Sequence, residues 1–135
     1  MTAVVTLGID HVGLTVRSLD LSLAFFLECL GWTQKGGRPE YPAAYISDCS
    51  CVVTLWQLKE KGPSCEFDRL GHIGLHHLAF KVGSEAELRS AFERVGAWRG
   101  VVVECAPEFS GKGPKVHFMI NEPGGTRIEF AWDPR

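Results

Sequence analysis

The stretch Leu75-His76-His77-Leu78-Ala79-Phe80-Lys81-Val82 has the period-two pattern of a β-strand. Its residues divide into an apolar face and a face that carries a histidine among small or polar neighbours: Leu78, Phe80 and Val82 on the first, and His77, Ala79 and Lys81 on the second. A strand with this pattern is expected to pack on one face only.

The same pattern occurs once before, in Ile9-Asp10-His11-Val12-Gly13-Leu14-Thr15-Val16. His11 and His77 stand 66 residues apart at equivalent places in the two stretches. The same offset relates Phe26 to Phe92 and Trp32 to Trp98. An internal duplication of this kind predicts two copies of one structural unit.

Each copy is predicted to have the element order β-α-β-β-β. Ser18 and Ser84 are candidate helix N-caps, and helical apolar spacing follows each of them, ending at Gly31 and Gly96. The further strands are predicted at Trp32–Lys35, Ala43–Ser47 and Cys51–Leu58, then at Val101–Cys105, Lys115–Asn121 and Thr126–Trp132. The stretch Pro107–Pro114 is predicted to be a mobile loop able to close over a ligand.

The predicted fold class is therefore α+β, with two tandem βαβββ modules that form a curved, half-barrel-like mixed sheet with one helix per module. Residues 1–135 are expected to form a single domain, with modules at 8–58 and 75–132 and a linker at 59–74. The helix-free face of the sheets is the face on which both histidines are expected to lie.

Composition excludes several classes of function. The 135 residues carry a formal net charge of −2 and no basic cluster, so neither nucleic acid nor a membrane is an expected partner. No apolar run approaches the ~18 residues of a membrane span, and a cytoplasmic location is the simplest expectation. The five cysteines, an odd number without CxxC spacing, favour reduced thiols; Cys49 and Cys51 share a strand face, where packing is a commoner role than metal binding.

The last predicted strand adds a carboxylate to the helix-free face. Ile128 and Phe130 should face the helix, which leaves Glu129 on the face of the histidines. A carboxylate in mid-strand is costly unless it is paired or ligated. Together, His11, His77 and Glu129 predict a 2-His-1-carboxylate metal site. Taken singly, each histidine has an ordinary structural role as its alternative, and Glu129 could pair with a neighbouring cation.

The sequence resembles the vicinal oxygen chelate superfamily, which includes glyoxalase I, extradiol dioxygenases, fosfomycin-resistance transferases and bleomycin-binding proteins. The resemblance covers Ile9 to Trp132 and depends on the two histidine strands, the Phe-Phe…Leu-Gly-Trp helix end at 25–32 and the run Asn121-Glu122-Pro123-Gly124-Gly125-Thr126-Arg127-Ile128-Glu129-Phe130. It implies that His11, His77 and Glu129 are ligands of one divalent ion per site: iron, manganese, nickel or zinc. The family's fourth ligand position falls on Thr54, a poor ligand, with Gln57 as a nearby alternative if a bulge re-aims it.

Other residues are predicted around this site. His117 is the candidate general acid or base, because imidazole titrates near neutrality. Trp56, Met119 and Arg127 are the candidate substrate-binding residues, although a core position for Trp56 and a solvated one for Arg127 are the alternatives. Met119 stands where, by resemblance, the dioxygenases and fosfomycin transferases tend to have a tyrosine.

The sequence thus predicts a homodimeric, metal-dependent lyase, isomerase or ring-cleaving dioxygenase acting on a small molecule that chelates the metal through neighbouring oxygens. The alternative is a non-catalytic binding protein, resembling bleomycin-resistance proteins, that sequesters an aromatic or antibiotic ligand. Whether one chain or two chains complete each metal site is left open by the sequence.

Overall fold

The computed structural model describes residues 1–59 and 66–135. The first module contains β1 (Val12–Val16), α1 (Leu19–Ala24, continuing as a π-helical segment over Phe25–Cys29), β2 (Thr33–Arg38), β3 (Ala43–Ser47) and β4 (Val52–Gln57). The second contains β5 (Leu78–Lys81), α2 (Glu85–Gly96), β6 (Val102–Phe109), β7 (Val116–Asn121) and β8 (Arg127–Trp132). The two predicted βαβββ modules are confirmed.

Each module forms its own four-stranded mixed sheet. The strand orders are β1-β4-β3-β2 and β5-β8-β7-β6, which are the same order in the two repeats. In each sheet the first strand pairs in parallel with the last one, and the other pairs are antiparallel. The curved half-barrel predicted for the two sheets together stays a prediction, since hydrogen bonding defines two separate sheets.

Some predicted boundaries were wrong. The strand predicted over Leu75–Val82 is only Leu78–Lys81, so His77 directly precedes it, as His11 precedes β1. The loop predicted over 107–114 is shorter, because β6 continues to Phe109 and the backbone N–H of Ser110 donates to the carbonyl of Lys115 at 2.9 Å. Cys65 and part of the predicted linker lie outside the described residues.

The helices begin where the sequence indicated. Ser18 Oγ accepts the backbone N–H of Leu21 at 3.3 Å, and Ser84 Oγ accepts that of Glu87 at 3.1 Å. Gly31, just after the π-helical segment, has a φ of +75°, a conformation that favours glycine. No helix among the described residues is long and apolar enough to cross a membrane.

The period-two alternation divides the second sheet as predicted. Phe118, Ile120, Ile128 and Phe130 are buried in the hydrophobic core, and their strand neighbours of opposite parity form the helix-free face. The core extends across both modules: the ring of Phe80 lies 5.1 Å from that of Trp32, centroid to centroid. The helix-packed faces of the two sheets therefore share one core.

The turn before β8 also joins the two modules. The buried carboxylate of Glu122 accepts the backbone N–H groups of Gly124 at 2.7 Å and Thr126 at 3.0 Å. It also accepts the hydroxyl of Ser22 on α1 at 2.8 Å, and the N–H of Arg17 donates to the carbonyl of Gly124 at 2.9 Å. A carboxylate that accepts three hydrogen bonds in the interior ties this turn to the first module.

A substitution of Gly124 tests this turn. A Cβ there would meet Ser22 Oγ and lie 2.7 Å from both Val16 Cβ and a Glu122 carboxylate oxygen. We expect Gly124→Ala to lower the free energy of unfolding by about 3 kcal/mol, because the buried atoms have no room to move apart.

The control is Gly96→Ala at the end of α2, where a Cβ would meet only ordinary contacts at 3.6 Å or more. This variant should be neutral or stabilised by up to about 1 kcal/mol, since alanine is the better helix former. Urea unfolding of the two variants gives the comparison, and equal stabilities would contradict this account of the turn.

Candidate functional site

The carboxylate of Glu129 lies between two imidazoles on the helix-free face of the second sheet. Glu129 Oε2 is 3.1 Å from His77 Nε2, and Glu129 Oε1 is 2.7 Å from His117 Nδ1. The side chains of Glu129 and His117 are only 13% and 16% exposed, whereas that of His77 is 37% exposed. An ionised carboxylate only accepts hydrogen bonds, so Nδ1 of His117, which is hydrogen-bonded to Glu129, carries the hydrogen.

Strand register explains why these side chains meet. Glu129 on β8 is paired with Ala79 on β5 and with Met119 on β7, and His117 is two residues from Met119 on the same face. Met119 is buried beside Glu129 and provides an apolar neighbour for the carboxylate. Glu129 thus lies on the face opposite to Ile128 and Phe130, as the alternation in the sequence predicted.

The same face continues onto β6 with a second group of possible metal ligands. Ligand atoms of Cys105, Glu108 and His117 all lie within 4.8 Å of one another. Among the described residues, no other group of three or more His, Cys, Asp or Glu side chains is as close together. His117 Nε2 is 3.7 Å from Glu108 Oε1. Burial raises the pKa of the Cys105 thiol, and the nearby Glu108 carboxylate adds to the rise while the backbone N–H of Met119 opposes it. The sequence does not predict a site at Cys105 and Glu108, because the bulge that aligns these two residues has no sequence signal.

His11 stands apart from this cluster. Its side chain is 53% exposed, and its Nδ1 lies 2.7 Å from the carboxylate of Asp10. Within the described part of one chain, His11 does not join His77 and Glu129 in a group with ligand atoms within 4.8 Å of one another. Within one chain, His77 and Glu129 are therefore in direct contact, whereas His11, the third predicted ligand, does not join them.

Arg127, predicted to bind substrate, makes an ion pair within the sheet. Its Nε donates to both carboxylate oxygens of Glu104, at 2.8 and 2.9 Å, and Asn121 Nδ2 donates to the same carboxylate at 3.0 Å. These hydrogen bonds, that of Arg127 above all, lower the pKa of Glu104. Arg127 also lies 3.2 Å from Nδ1 of His76, whose pKa is lowered by desolvation first and then by this guanidinium. Nδ1 of His76 also lies 2.8 Å from Nδ1 of His77.

The helix-free face of the first sheet carries an aromatic cluster. Trp56 Nε1 donates to Thr54 Oγ1 at 2.9 Å, and the Trp56 ring lies 5.1 Å from that of Tyr41 and 6.3 Å from that of Tyr45. Trp56 is half-buried rather than part of the helix-facing core. The sequence predicted a site role for Trp56 but gave no signal for the two tyrosines.

Gln57, the alternative fourth ligand, is engaged by the backbone. Its Oε1 accepts the N–H of Leu19 at 2.8 Å, and its Nε2 donates to the carbonyl of Arg17 at 2.9 Å. Both ends of the carboxamide therefore hold the start of α1, where N–H groups lack helical partners.

A cavity of about 430 Å³ lies between β1 and the turn before β8. Its wall includes Val16, Phe67, Ile73, Gly124 and Arg127. Glu129, His77 and His117 are not among its lining residues, so the ligand cluster lies on an open sheet face rather than in this cavity.

The chain thus combines two tandem βαβββ modules with carboxylate and imidazole side chains on a helix-free sheet face. The chain belongs to the Glyoxalase/Bleomycin resistance protein/Dioxygenase superfamily, whose family model matches residues 8–130. No curated protein matches the sequence significantly.

Solved structures show the same fold. A glyoxylase/bleomycin resistance protein/dioxygenase domain from Frankia sp. EAN1pec is 25% identical, with a TM-score of 0.79 and coverage of 95% of this chain and 93% of that one. A lactoylglutathione lyase from Agrobacterium tumefaciens is 18% identical, with a TM-score of 0.70 and 95% of each chain covered. The fosfomycin resistance protein FosX from Listeria monocytogenes is 17% identical, with a TM-score of 0.70 and coverage of 93% and 92%.

The Arg127–Glu104 pair gives a pH-dependent prediction. Because the folded-state pKa of Glu104 is lowered, its contribution to stability is present above the ordinary pKa of a glutamate, about 4.3, and is lost as pH falls through the folded value. Because solvent screens this exposed pair, Glu104→Gln should lower the free energy of unfolding by only about 0.5–1 kcal/mol near neutrality, and the loss should shrink below about pH 4.

Urea unfolding at several pH values measures this difference. Glu93→Gln, a change at an exposed position of α2, is the control and should leave stability unchanged near neutrality. A deficit in Glu104→Gln that stays constant down to low pH would show that the charge of the carboxylate is not what stabilises the pair.

Proposed function

We propose that this chain is a subunit of a divalent-metal-dependent enzyme, with a metal site made from His77 and Glu129 of one chain and His11 of a second copy. The observation that carries the proposal is the largely buried carboxylate of Glu129, paired with an imidazole on the open face of the second sheet. The reaction class is that of a lyase, isomerase or dioxygenase acting on a small molecule with two neighbouring oxygens.

The donor atoms suit a divalent ion. Glu129 Oε2 and His77 Nε2 are 3.1 Å apart, close to the roughly 3.0 Å between adjacent ligands of an octahedral ion with bonds of about 2.1 Å. Two imidazoles and one carboxylate form the ligand set that binds iron, manganese, nickel or zinc and leaves positions open. The residues present therefore fit the metal that the superfamily implies.

A homodimer is proposed because one chain leaves the third ligand exposed. His11 follows an N-terminal segment whose apolar side chains, Val4, Val5, Leu7 and Ile9, are all exposed. Consecutive apolar residues are seldom left uncovered in a soluble protein, and a second copy is the commonest cover in a symmetric assembly. Docking of this segment on a partner would carry His11 with it.

The residues of the chain have distinct roles in this proposal. A bound divalent ion would act as a Lewis acid toward a substrate that chelates it through two oxygens. His117 donates its Nδ1–H to Glu129 and so fixes the orientation of the carboxylate, as hydrogen-bonded outer residues do at metal sites. The general acid or base role predicted for His117 from the sequence stays an untested prediction and is not part of this proposal. Met119 excludes water from one side of Glu129.

The aromatic cluster of Trp56, Tyr41 and Tyr45 favours a substrate with an aromatic or apolar part. The same cluster is the observation that supports the second candidate function, a non-catalytic protein that sequesters an aromatic ligand. Metal binding separates the two candidates, because a sequestering protein has no need of the ligand set.

Mn²⁺ titration followed by electron paramagnetic resonance tests the proposal. Manganese suits nitrogen and oxygen ligands, so it probes the His–His–Glu set. The wild type should bind one Mn²⁺ per chain, and His77→Ala should weaken binding more than about 100-fold, since loss of an outer-shell partner alone costs about 10–100-fold.

The matched control is His72→Ala. His72 accepts the backbone N–H of Asp68 at 2.9 Å, contacts the Phe67 ring and is not one of the proposed ligands, so its removal should leave Mn²⁺ affinity unchanged. Equal and negligible Mn²⁺ binding by wild type and His77→Ala would refute the enzyme and leave the sequestering protein.

A further inference from the structure

A second group of possible metal ligands lies on β6 and β7. It is next to Glu129, because one of its members, His117, contacts the Glu129 carboxylate. Cys105, Glu108 and His117 place a thiol, a carboxylate and an imidazole within 4.8 Å of one another. We propose that these three residues form a zinc site in each chain, separate from the site proposed above and complete without a second copy.

A β-bulge brings the three side chains onto one face. In a regular strand, residues three apart such as Cys105 and Glu108 point to opposite faces. The register between β6 and β7 shifts between these two residues, so Cys105 is paired with Met119 and Glu108 with His117. Because Met119 and His117 lie on the same face, the extra residue of the bulge puts Glu108 beside Cys105. Bulges that re-aim a side chain are frequent next to functional sites.

The hydrogen bond to Glu129 prepares His117 as a ligand. His117 Nδ1 is 2.7 Å from the Glu129 carboxylate and carries the hydrogen, so the neutral ring has its lone pair on Nε2. Nε2 is the nitrogen that faces Glu108. A carboxylate that holds the far nitrogen of a histidine is the usual outer partner of a zinc-bound imidazole, because it fixes the tautomer and the ring orientation.

The donor atoms favour zinc over the other common divalent ions. The separation of 3.7 Å between His117 Nε2 and Glu108 Oε1 is near the roughly 3.4 Å expected for two ligands of a tetrahedral zinc with bonds of about 2.0–2.1 Å. A thiolate excludes the harder magnesium and calcium. Three protein ligands leave a fourth position for water or a small anion.

Charge is balanced at this position. A thiolate and the Glu108 carboxylate together offset the two positive charges of the ion. The nearby Glu104 carboxylate is already paired with Arg127, and Glu129 is held by the two imidazoles. The ligand role of His117 and its predicted general acid–base role use the same nitrogen and therefore exclude each other.

Titration of the full-length protein with Co²⁺, a spectroscopic substitute for zinc, tests the proposal. A cobalt–thiolate charge-transfer band in the near ultraviolet should appear at one equivalent per chain, because the site contains a cysteine. The His–His–Glu site contains no thiolate and cannot give this band, so the result is independent of the function proposed above. Zn²⁺ should displace the Co²⁺ and abolish the band.

Three variants identify the ligands. Cys105→Ser should abolish the band and weaken Zn²⁺ binding more than about 100-fold in a competition titration, and Glu108→Gln should weaken Zn²⁺ binding at least about 10-fold. Cys51→Ser, at an exposed cysteine on the other module, should keep the band. Absence of the band from the wild type, or its survival in Cys105→Ser, would overturn the proposal.

Discussion

In the part of the chain that the structure describes, a single helix covers each small sheet, and the other features follow from this constraint. Period-two side-chain alternation then assigns every strand residue either to the shared core or to an open face. On the helix side, Phe118, Ile128 and Phe130 are buried together with residues of α2. Polar side chains on the opposite side must find partners of their own, and the pairing of Glu129 with two histidines is the clearest result.

The two modules are joined on the covered side and distinct on the open side. The shared aromatic core and the buried Glu122 carboxylate, which contacts Ser22 of α1, hold the helix-bearing faces together. The open faces have different chemistry: aromatic rings around Trp56 on the first sheet, and carboxylates, imidazoles and a thiol on the second. Duplication thus provided one framework whose copies now differ in the groups they present.

Much of the fold and part of the site could be predicted from the sequence. Strand periodicity and helix caps are local signals, so the two modules, the caps at Ser18 and Ser84, and the face of Glu129 followed from them. The bulge in β6 could not be predicted, because its signal lies in pairing with β7 rather than in the residues themselves. For the same reason, the loop predicted before β7 was too long, and the proximity of Cys105 and Glu108 was not predicted. The tyrosines beside Trp56 also depend on contacts between strands.

The proposed metal site needs His11 and His77 from different chains. This requirement is tested most directly by mixing the His11→Ala and His77→Ala chains, unfolding and refolding them together, and measuring Mn²⁺ binding. Each variant alone should bind almost none. The mixed protein should recover about a quarter of the wild-type sites if chains pair at random, because every mixed dimer contains one intact site. No recovery in dimers shown to contain both variants would contradict the account, since two sites each confined to one chain cannot complement one another.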